Sequence, residues 1–385
     1  MRFAVDAHAI GRHLTGNEVY IRSLLGAFAG QRLGCEFLAY VSSEGARGFV
    51  PAAIRARGIA ANPFLRLGLD LPMRLRQDRP DLLHVQYTAP PACPVPIVVT
   101  VHDVSFLEYP EFFPASRAWQ LRCTVKHTVR RAARVLTVSE FSKRAILRAY
   151  PELDERRVVV APNAAGSEFR PISRQTAAAA VRQRFSISGP FVLCVGDLQP
   201  RKNHIGLVRA FSALVRAYPQ LKHKLVLAGK ETWYSDHIRE AARRSDAAER
   251  IRFLGFVSDP DLLQLYNACD LFVFPSFYEG FGLPALEAMA CGRAVACSDA
   301  SALPEVVDSA AILFDPRSDE EMTRAMADLL LDAELRTRME RLGAMRAAQY
   351  SWQNTARKTL DVYYEVARGR QCATERVGSP SAALR

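Results

Sequence analysis

The sequence predicts an α/β protein built from two doubly wound, parallel-sheet domains. Three observations carry this. Short apolar runs alternate with segments of helical periodicity along nearly the whole chain, the pattern of strand–helix–strand units. The alternation pauses in VVVAPNAAGSEFRP (158–171), where a strand runs into a Pro/Asn/Gly turn, and restarts at Phe191. A chain of 385 residues is also too long for one ordinary core.

In the first half, residues 2–8 read as a strand, 11–16 as a turn and 17–29 as a helix. Open α/β sheets present a ligand loop at such a turn, and this one carries Thr15-Gly16. Strands follow at 35–42, 82–87, 97–102 and 134–138, with helical patterns between them. No Gly-x-Gly-x-x-Gly follows the first strand, which disfavours a nicotinamide dehydrogenase. His102 ends the run PIVVTVH, so its side chain should emerge at the carboxyl edge of the sheet, with Asp103 next to it. A lone histidine is commonly structural, but the strand-end position favours a site role. Segment 117–134 brings Arg117, Arg122, Lys126, His127, Arg130, Arg131 and Arg134 without an acid, beside the apolar Trp119, Leu121, Val125 and Val129. Two readings stay open: a surface helix docked on the sheet by its apolar side, and electrostatic contact with an anionic membrane. Ser139 reads as the N-cap of the next helix.

In the second half, 191–195 is a strand and GDLQPRKN (196–203) is its strand-to-helix loop. Arg201 and Lys202 stand just ahead of an amphipathic helix, where two cations and first-turn amides suit a diphosphate. For a bare Arg-Lys pair, surface solubility is the plainer reading. Strands at 224–229 and 251–255 lead to the turn Phe256-Val257-Ser258-Asp259. Asp259-Pro260-Asp261 has the form of a metal-binding Asp-x-Asp, yet reads better as the N-cap and first-turn proline of a helix over 261–268.

Segment 270–299 is the centre of this half. Its apolar run 271–274 is a buried strand, a polar loop carries Glu279-Gly280-Phe281-Gly282, and Leu283-Pro284 opens a helix, because proline fits only the first turn. Glu279 in the loop and Glu287 about one turn into the helix bracket the amides and dipole of its N-terminus, an anion site. Two glycines let a phosphate approach the backbone, and two carboxylates accept hydrogen bonds from sugar hydroxyls. The combination suits a nucleotide sugar; two solvated glutamates on an ordinary strand–loop–helix unit are the plain alternative. Strands at 295–298 and 311–314 complete the sheet, helices cover 319–348 and 352–367, and the tail from 369 is expected to be disordered.

Apolar residues at 49% and charged residues at 24% are those of a globular chain. No window approaches the roughly 18 apolar residues of a membrane span, and MRFAVDAHAIGRH turns polar too soon for a secretory signal, so a cytoplasmic chain is expected. Eight cysteines lack any Cys-x-x-Cys pair and are expected to be reduced and mostly buried. The net charge of +11 is uneven: residues 1–165 hold 22 Lys+Arg against 14 Asp+Glu, or +8. No nucleic-acid motif accompanies the basic half, so no nucleic-acid partner is expected, while an anionic membrane remains open as one. No carboxylate or histidine cluster has metal spacing, so no required metal is expected.

The string FPSFYEGFGLPALEAMACGRAV, with Glu279 and Glu287 as a Glu-x7-Glu pair, resembles the signature of the retaining glycosyltransferases of family 4. The likeness runs from the first strand to the helix at 352–367. It implies the GT-B architecture: Rossmann-like domains facing each other across a cleft, acceptor-side at 1–167 and donor-side at 168–350, with a helix at 351–368 crossing back to the first and a tail at 369–385. It further implies retaining transfer of a sugar from a nucleoside diphosphate. On this resemblance His102 contacts the donor sugar near the reacting carbon, with Asp103 close by. Lys202 and Arg201 draw off the diphosphate, with Gly196 in their loop and the helix amides at Gly280, Phe281, Gly282 and Leu283. Glu279 orients sugar hydroxyls and Glu287 the ribose, while the base lies against backbone at Val257, near Leu262. Gly16 approaches the diphosphate or the acceptor. Likeness to bacterial mannosyltransferases of surface-polysaccharide assembly implies GDP-mannose as donor and a glycan or lipid-linked glycan as acceptor. A GT-B epimerase or phosphorylase, or a non-catalytic nucleotide-sugar-binding protein, would share the architecture; release of free nucleoside diphosphate separates the last from a transferase.

Overall fold

The computed structural model describes residues 1–12, 15–31 and 34–378. It forms two compact units, one of Met1–Asn163 with the chain from Trp352 onward, the other of Ala164–Ser351.

The first unit holds seven strands: β1 (Arg2–Asp6), β2 (Glu36–Val41), β3 (Arg55–Gly58), β4 (Leu82–Gln86), β5 (Ile97–Thr100), β6 (Arg134–Thr137) and β7 (Val158–Val160). All pair in parallel, in the order β3-β2-β1-β4-β5-β6-β7. Every residue of β4 and β5 is buried, as expected of central parallel strands covered on both faces. The chain builds outward from β1 in one direction and then, from β4, in the other. Their carboxyl ends therefore flank a crevice where open α/β sheets bind ligands.

The helix Thr15–Ala29 starts two residues earlier than the sequence indicates, so Gly16 lies in its first turn, not in the preceding loop. First-turn amides make no intrahelical bond, so glycine costs little there. The basic helix Ala115–Arg131 buries Ala118, Val125, Thr128 and Val129 against the sheet, which favours the docked reading. Trp119, grouped with that apolar side from sequence, instead faces outward and is 69% exposed. The last helix, Trp352–Gly378, packs on this unit through Tyr363, whose ring meets Phe3 at 5.2 Å and whose hydroxyl lies 2.5 Å from His84 Nδ1. It runs past Gly369, where the sequence indicates disorder, because 370–377 lack proline and hold good helix formers such as Arg, Gln, Ala and Glu. Residues 379–385 of that expected tail lie outside the described residues.

The second unit repeats the plan with β8 (Phe191–Val195), β9 (Lys224–Ala228), β10 (Ile251–Gly255), β11 (Leu271–Phe274), β12 (Val295–Ser298) and β13 (Ile312–Phe314). They are parallel, in the order β10-β9-β8-β11-β12-β13, so the reversal falls between β8 and β11. Val192, Leu225, Leu271, Val273 and Ala296 of the sheet pack with Phe211, Leu214 and Met326 of its helices. The helix Asp259–Ala268 is capped by Ser258, whose Oγ accepts from the Asp261 amide at 3.4 Å. Asp259 is thus its first residue and not its cap, and the Asp-Pro-Asp carboxylates sit in the first turn, where the helix dipole favours them. Among the described cysteines, Cys194, Cys269, Cys291 and Cys297 are buried free thiols and Cys123 is exposed. Among the described residues no helix is long and apolar enough to cross a membrane.

Candidate active site

Residues from the two loops at the β8/β11 reversal converge. The loop after β8 tightens into a short turn, Pro200–Lys202, and Asn203 takes a left-handed conformation (φ 53°) to cap the helix His204–Ala217 through its side chain. The loop after β11 carries Glu279. The Phe277 amide donates to the Arg201 carbonyl at 2.9 Å, and the Arg201 guanidinium donates to the Tyr278 carbonyl, so the loops are tied together. Glu279 Oε1 then receives Lys202 Nζ at 2.7 Å, and Oε2 lies 2.9 Å from the Arg201 guanidinium. Lys202 Nζ also stands over the Phe274 ring at 4.8 Å. All three charged groups are largely buried. Burial raises the Glu279 carboxyl, but Arg201 and Lys202 more than offset it and hold it at about 2. Two cations face one carboxylate, so the cluster keeps a net positive charge.

The surrounding backbone is bare of side chains. Gly196, Gly229 and Gly255 stand at the carboxyl ends of β8, β9 and β10. A Cβ on Gly229 would lie 1.9 Å from the Gly196 carbonyl oxygen, and one on Gly196 would press on the Lys202 stem at 3.2 Å. Gly282 (φ 105°) precedes the helix Leu283–Ala290, whose N-terminus has no side-chain cap; a Cβ there would meet Leu303 at 2.4 Å. Gly280, Phe281 and Gly282 are buried and Leu283 half-buried, and the Glu279 amide is fixed by Ser301 Oγ at 2.8 Å. This is a neutralising edge for an anionic ligand: cations, a helix N-terminus and open backbone.

Glu287 sits on that helix, apart from the cluster. Its Oε2 accepts from Tyr266 OH at 2.8 Å, and burial raises its carboxyl to about 7, with Asp259 and Glu168 adding to the rise against the Tyr266 bond. Tyr266 lies one turn from Leu262 on the helix Asp259–Ala268, so Glu287, Leu262 and, just before the helix, Val257 belong to one neighbourhood. Val257 and Leu262 are half-buried.

His102 and Gly16 lie in the other unit. His102 follows β5 and is half-buried; its ring packs edge-on against Tyr20 at 4.7 Å. Gln86 Nε2 donates to the Asn17 carbonyl, so its Oε1 accepts from His102 Nε2 at 2.8 Å. The ring is held neutral, with burial lowering it to about 4, and Nδ1 is left as the acceptor. Asp103 is occupied locally, accepting from the amide (2.9 Å) and hydroxyl (2.6 Å) of Ser105 at a helix start. Gly16 is exposed, and a Cβ there would meet no atom within 4 Å. Sequence reasoning missed Asn203, Tyr266, Ser301 and Gln86. Only Asn203 carried a signal, an asparagine directly before a helix. Among the described residues no three His, Cys, Asp or Glu side chains form a metal cluster.

Comparisons with known proteins agree on the fold. The family described as glycosyl transferases group 1 matches residues 180–345, and glycosyltransferase family 4 matches residues 15–167. Over 267 residues the chain is 35% identical to the O-antigen chain mannosyltransferase B of Escherichia coli, covering 69% of each protein. Among solved structures, the sucrose-phosphate synthase of Thermosynechococcus elongatus superposes with a TM-score of 0.79 at 20% identity, covering 96% of this chain and 100% of that one. Anabaena Alr3699/HepE in complex with UDP-glucose gives 0.75 at 19% identity, over 94% and 99%. With two Rossmann-like units matched by these families and a relative this similar, the chain belongs to the family 4 glycosyltransferases of GT-B fold.

Proposed function

We propose that this glycosyltransferase moves mannose, with retention, from GDP-mannose to a glycan or lipid-linked glycan of a surface polysaccharide such as O-antigen. The observation that carries the reading is the Arg201–Glu279–Lys202 cluster at the β8/β11 reversal, beside an uncapped helix N-terminus. The mannose assignment is supported by the likeness to the E. coli O-antigen mannosyltransferase.

As the bond from anomeric carbon to diphosphate breaks, negative charge grows on the leaving oxygen. Lys202, Arg201 and the amides of 281–283 meet that charge in a largely buried setting, where it counts most. Glu279, ionised and held by both cations, orients the sugar hydroxyls, and Glu287 takes the ribose. His102, neutral, accepts a donor-sugar hydroxyl on Nδ1. The acceptor oxygen forms the new bond on the same face, and its proton leaves with the diphosphate. The cations do the work of a metal, so turnover proceeds without one.

The test is release of GDP or UDP from GDP-mannose and UDP-glucose, with and without an alkyl α-mannoside, in the presence of EDTA. Acceptor-dependent GDP release in EDTA is expected. Loss in EDTA restored by manganese would remove the metal-free mechanism, and absence of nucleotide release from either donor would remove the transferase reading.

We further propose a cytoplasmic chain that touches the anionic face of the membrane through its first unit. The basic helix Ala115–Arg131 with its exposed Trp119 supports this, as does a stripe of exposed Phe64 (84%), Leu65, Leu69 and Met73. Exposed apolar side chains with basic neighbours suit an anionic lipid surface. Binding to anionic vesicles should weaken with salt and be absent on neutral ones.

A further inference from the structure

The first unit carries a second fixed histidine that the reading above does not use. Strand β1 stops at Asp6, at the point where the strand order of this sheet reverses. Asp6 is only 1% exposed. Its Oδ2 receives the buried Arg66 guanidinium at 2.6 Å, and its Oδ1 receives both the His8 amide (3.1 Å) and His8 Nδ1 (2.9 Å). Burial pushes the Asp6 carboxyl up, but His8 and Arg66 outweigh it and leave it at about 2, so it is ionised.

An ionised carboxylate can only accept, so His8 Nδ1 carries a proton committed to Asp6, which leaves Nε2 as the ring nitrogen open to a ligand. The His8 side chain is 20% exposed, and Nε2 has no partner among the described residues. Arg66 holds the other oxygen of Asp6, so the carboxylate is fixed from both sides and in turn fixes the ring through Oδ1. A histidine whose far nitrogen stays open at a sheet's ligand edge is more than a local brace.

We propose that His8 binds the acceptor, its Nε2 hydrogen-bonding a sugar hydroxyl, with Asp6 and Arg66 as positioning residues that fix the ring. The inference rests on the transferase reading. It takes a polyol as ligand class, since a sugar hydroxyl both donates and accepts and so can meet Nε2 whether or not that nitrogen carries a proton. No covalent step passes through His8; the hydroxyl proton leaves with the diphosphate.

Two substitutions separate the ring's two nitrogens. His8→Asn keeps an N–H near the place of Nδ1 and removes Nε2, whereas His8→Gln carries an amide to about the place of Nε2. With GDP-mannose as donor and octyl α-mannoside as acceptor, His8→Asn should raise the acceptor KM about tenfold, the scale of one hydrogen bond. The ratio of transfer to donor hydrolysis should fall by a similar factor, with little change in the KM for GDP-mannose. His8→Gln should recover part of the loss. An unchanged acceptor KM in His8→Asn, or a parallel fall of hydrolysis and transfer, would overturn the assignment while leaving the transferase reading intact. A wild-type chain that neither hydrolyses nor transfers from GDP-mannose or UDP-glucose would overturn both.

Discussion

At Glu279 the carboxylate is surrounded by the cations that a diphosphate would need, and this sets opposite outcomes for two substitutions. Removing Lys202 weakens the anion site and leaves Arg201 to balance Glu279. Removing Glu279 leaves two largely buried cations uncompensated, which typically costs about 3–5 kcal/mol. GDP should therefore stabilise Glu279→Ala by more degrees than it stabilises the wild type, because its phosphates restore the missing negative charge, while Lys202→Ala should lose most of its GDP-induced shift. Both variants should transfer little. Equal GDP shifts in all three proteins would separate the cluster from the diphosphate. Glu287 has the contrary electrostatics. Its carboxyl is raised by burial to about 7 from an ordinary value near 4.5, so the folded state holds its proton more tightly than the unfolded chain. Its contribution to stability is thus most favourable below the unfolded value and is lost as pH rises to about 7. Glu287→Gln, neutral throughout and still able to accept from Tyr266, should match the wild type in thermal midpoint near pH 4. Its stability should exceed that of the wild type at pH 8 by about 3 kcal/mol. A gap that does not grow with pH would contradict this.

The helix Leu283–Ala290 was legible from sequence because a proline in its first turn fixes where it starts, and the strands β8, β9, β11 and β12 were legible because unbroken apolar runs end at Gly, Pro or Ser. Strand β3 was not. Its sequence, RARG, has no apolar pattern, since it is an edge strand held by main-chain pairing with β2, and such pairing leaves no mark on side-chain choice. The residues of the donor-side cluster could be named from their motif, but not that Glu279 pairs with both cations, because the pairing joins loops 77 residues apart and depends on strand order. Asp308 shows the same limit. Its backbone has φ 51° and ψ −138°, a region that side chains strain to occupy and glycine enters freely, and nothing in the local sequence marks it. Asp308→Gly should raise stability by about 1–3 kcal/mol, read as a higher denaturation midpoint without a change in slope. A lower midpoint would mean that the aspartate side chain holds the turn.

The two units divide the chain unevenly in sequence, since the first is closed by residues that follow the second. The helix from Trp352 supplies Tyr363 to the buried His84, packs a ring on Phe3, and bonds the Pro162 carbonyl through Thr355 Oγ1 at 2.5 Å. His84 is fully buried and neutral, with burial holding it at about 3, and its other nitrogen meets Thr100 at 2.7 Å. Ending the chain at Ser351 would expose that core and strip a buried ring nitrogen of its partner, so the first unit should lose its cooperative transition. The second unit contains every contact of the Arg201–Glu279–Lys202 cluster and of Glu287. Residues 164–351 are also long enough to bury a core of their own. That fragment should unfold in one transition, with GDP raising its midpoint as in the full chain, yet show no transfer to an alkyl mannoside, because His102 and the acceptor residues are absent. Calorimetry of the full chain, of 1–351 and of 164–351, each with and without GDP, decides the matter. Loss of the GDP response in 164–351 would place part of the nucleotide site in the first unit, and a chain ending at 351 that kept both transitions would show the last helix to be dispensable.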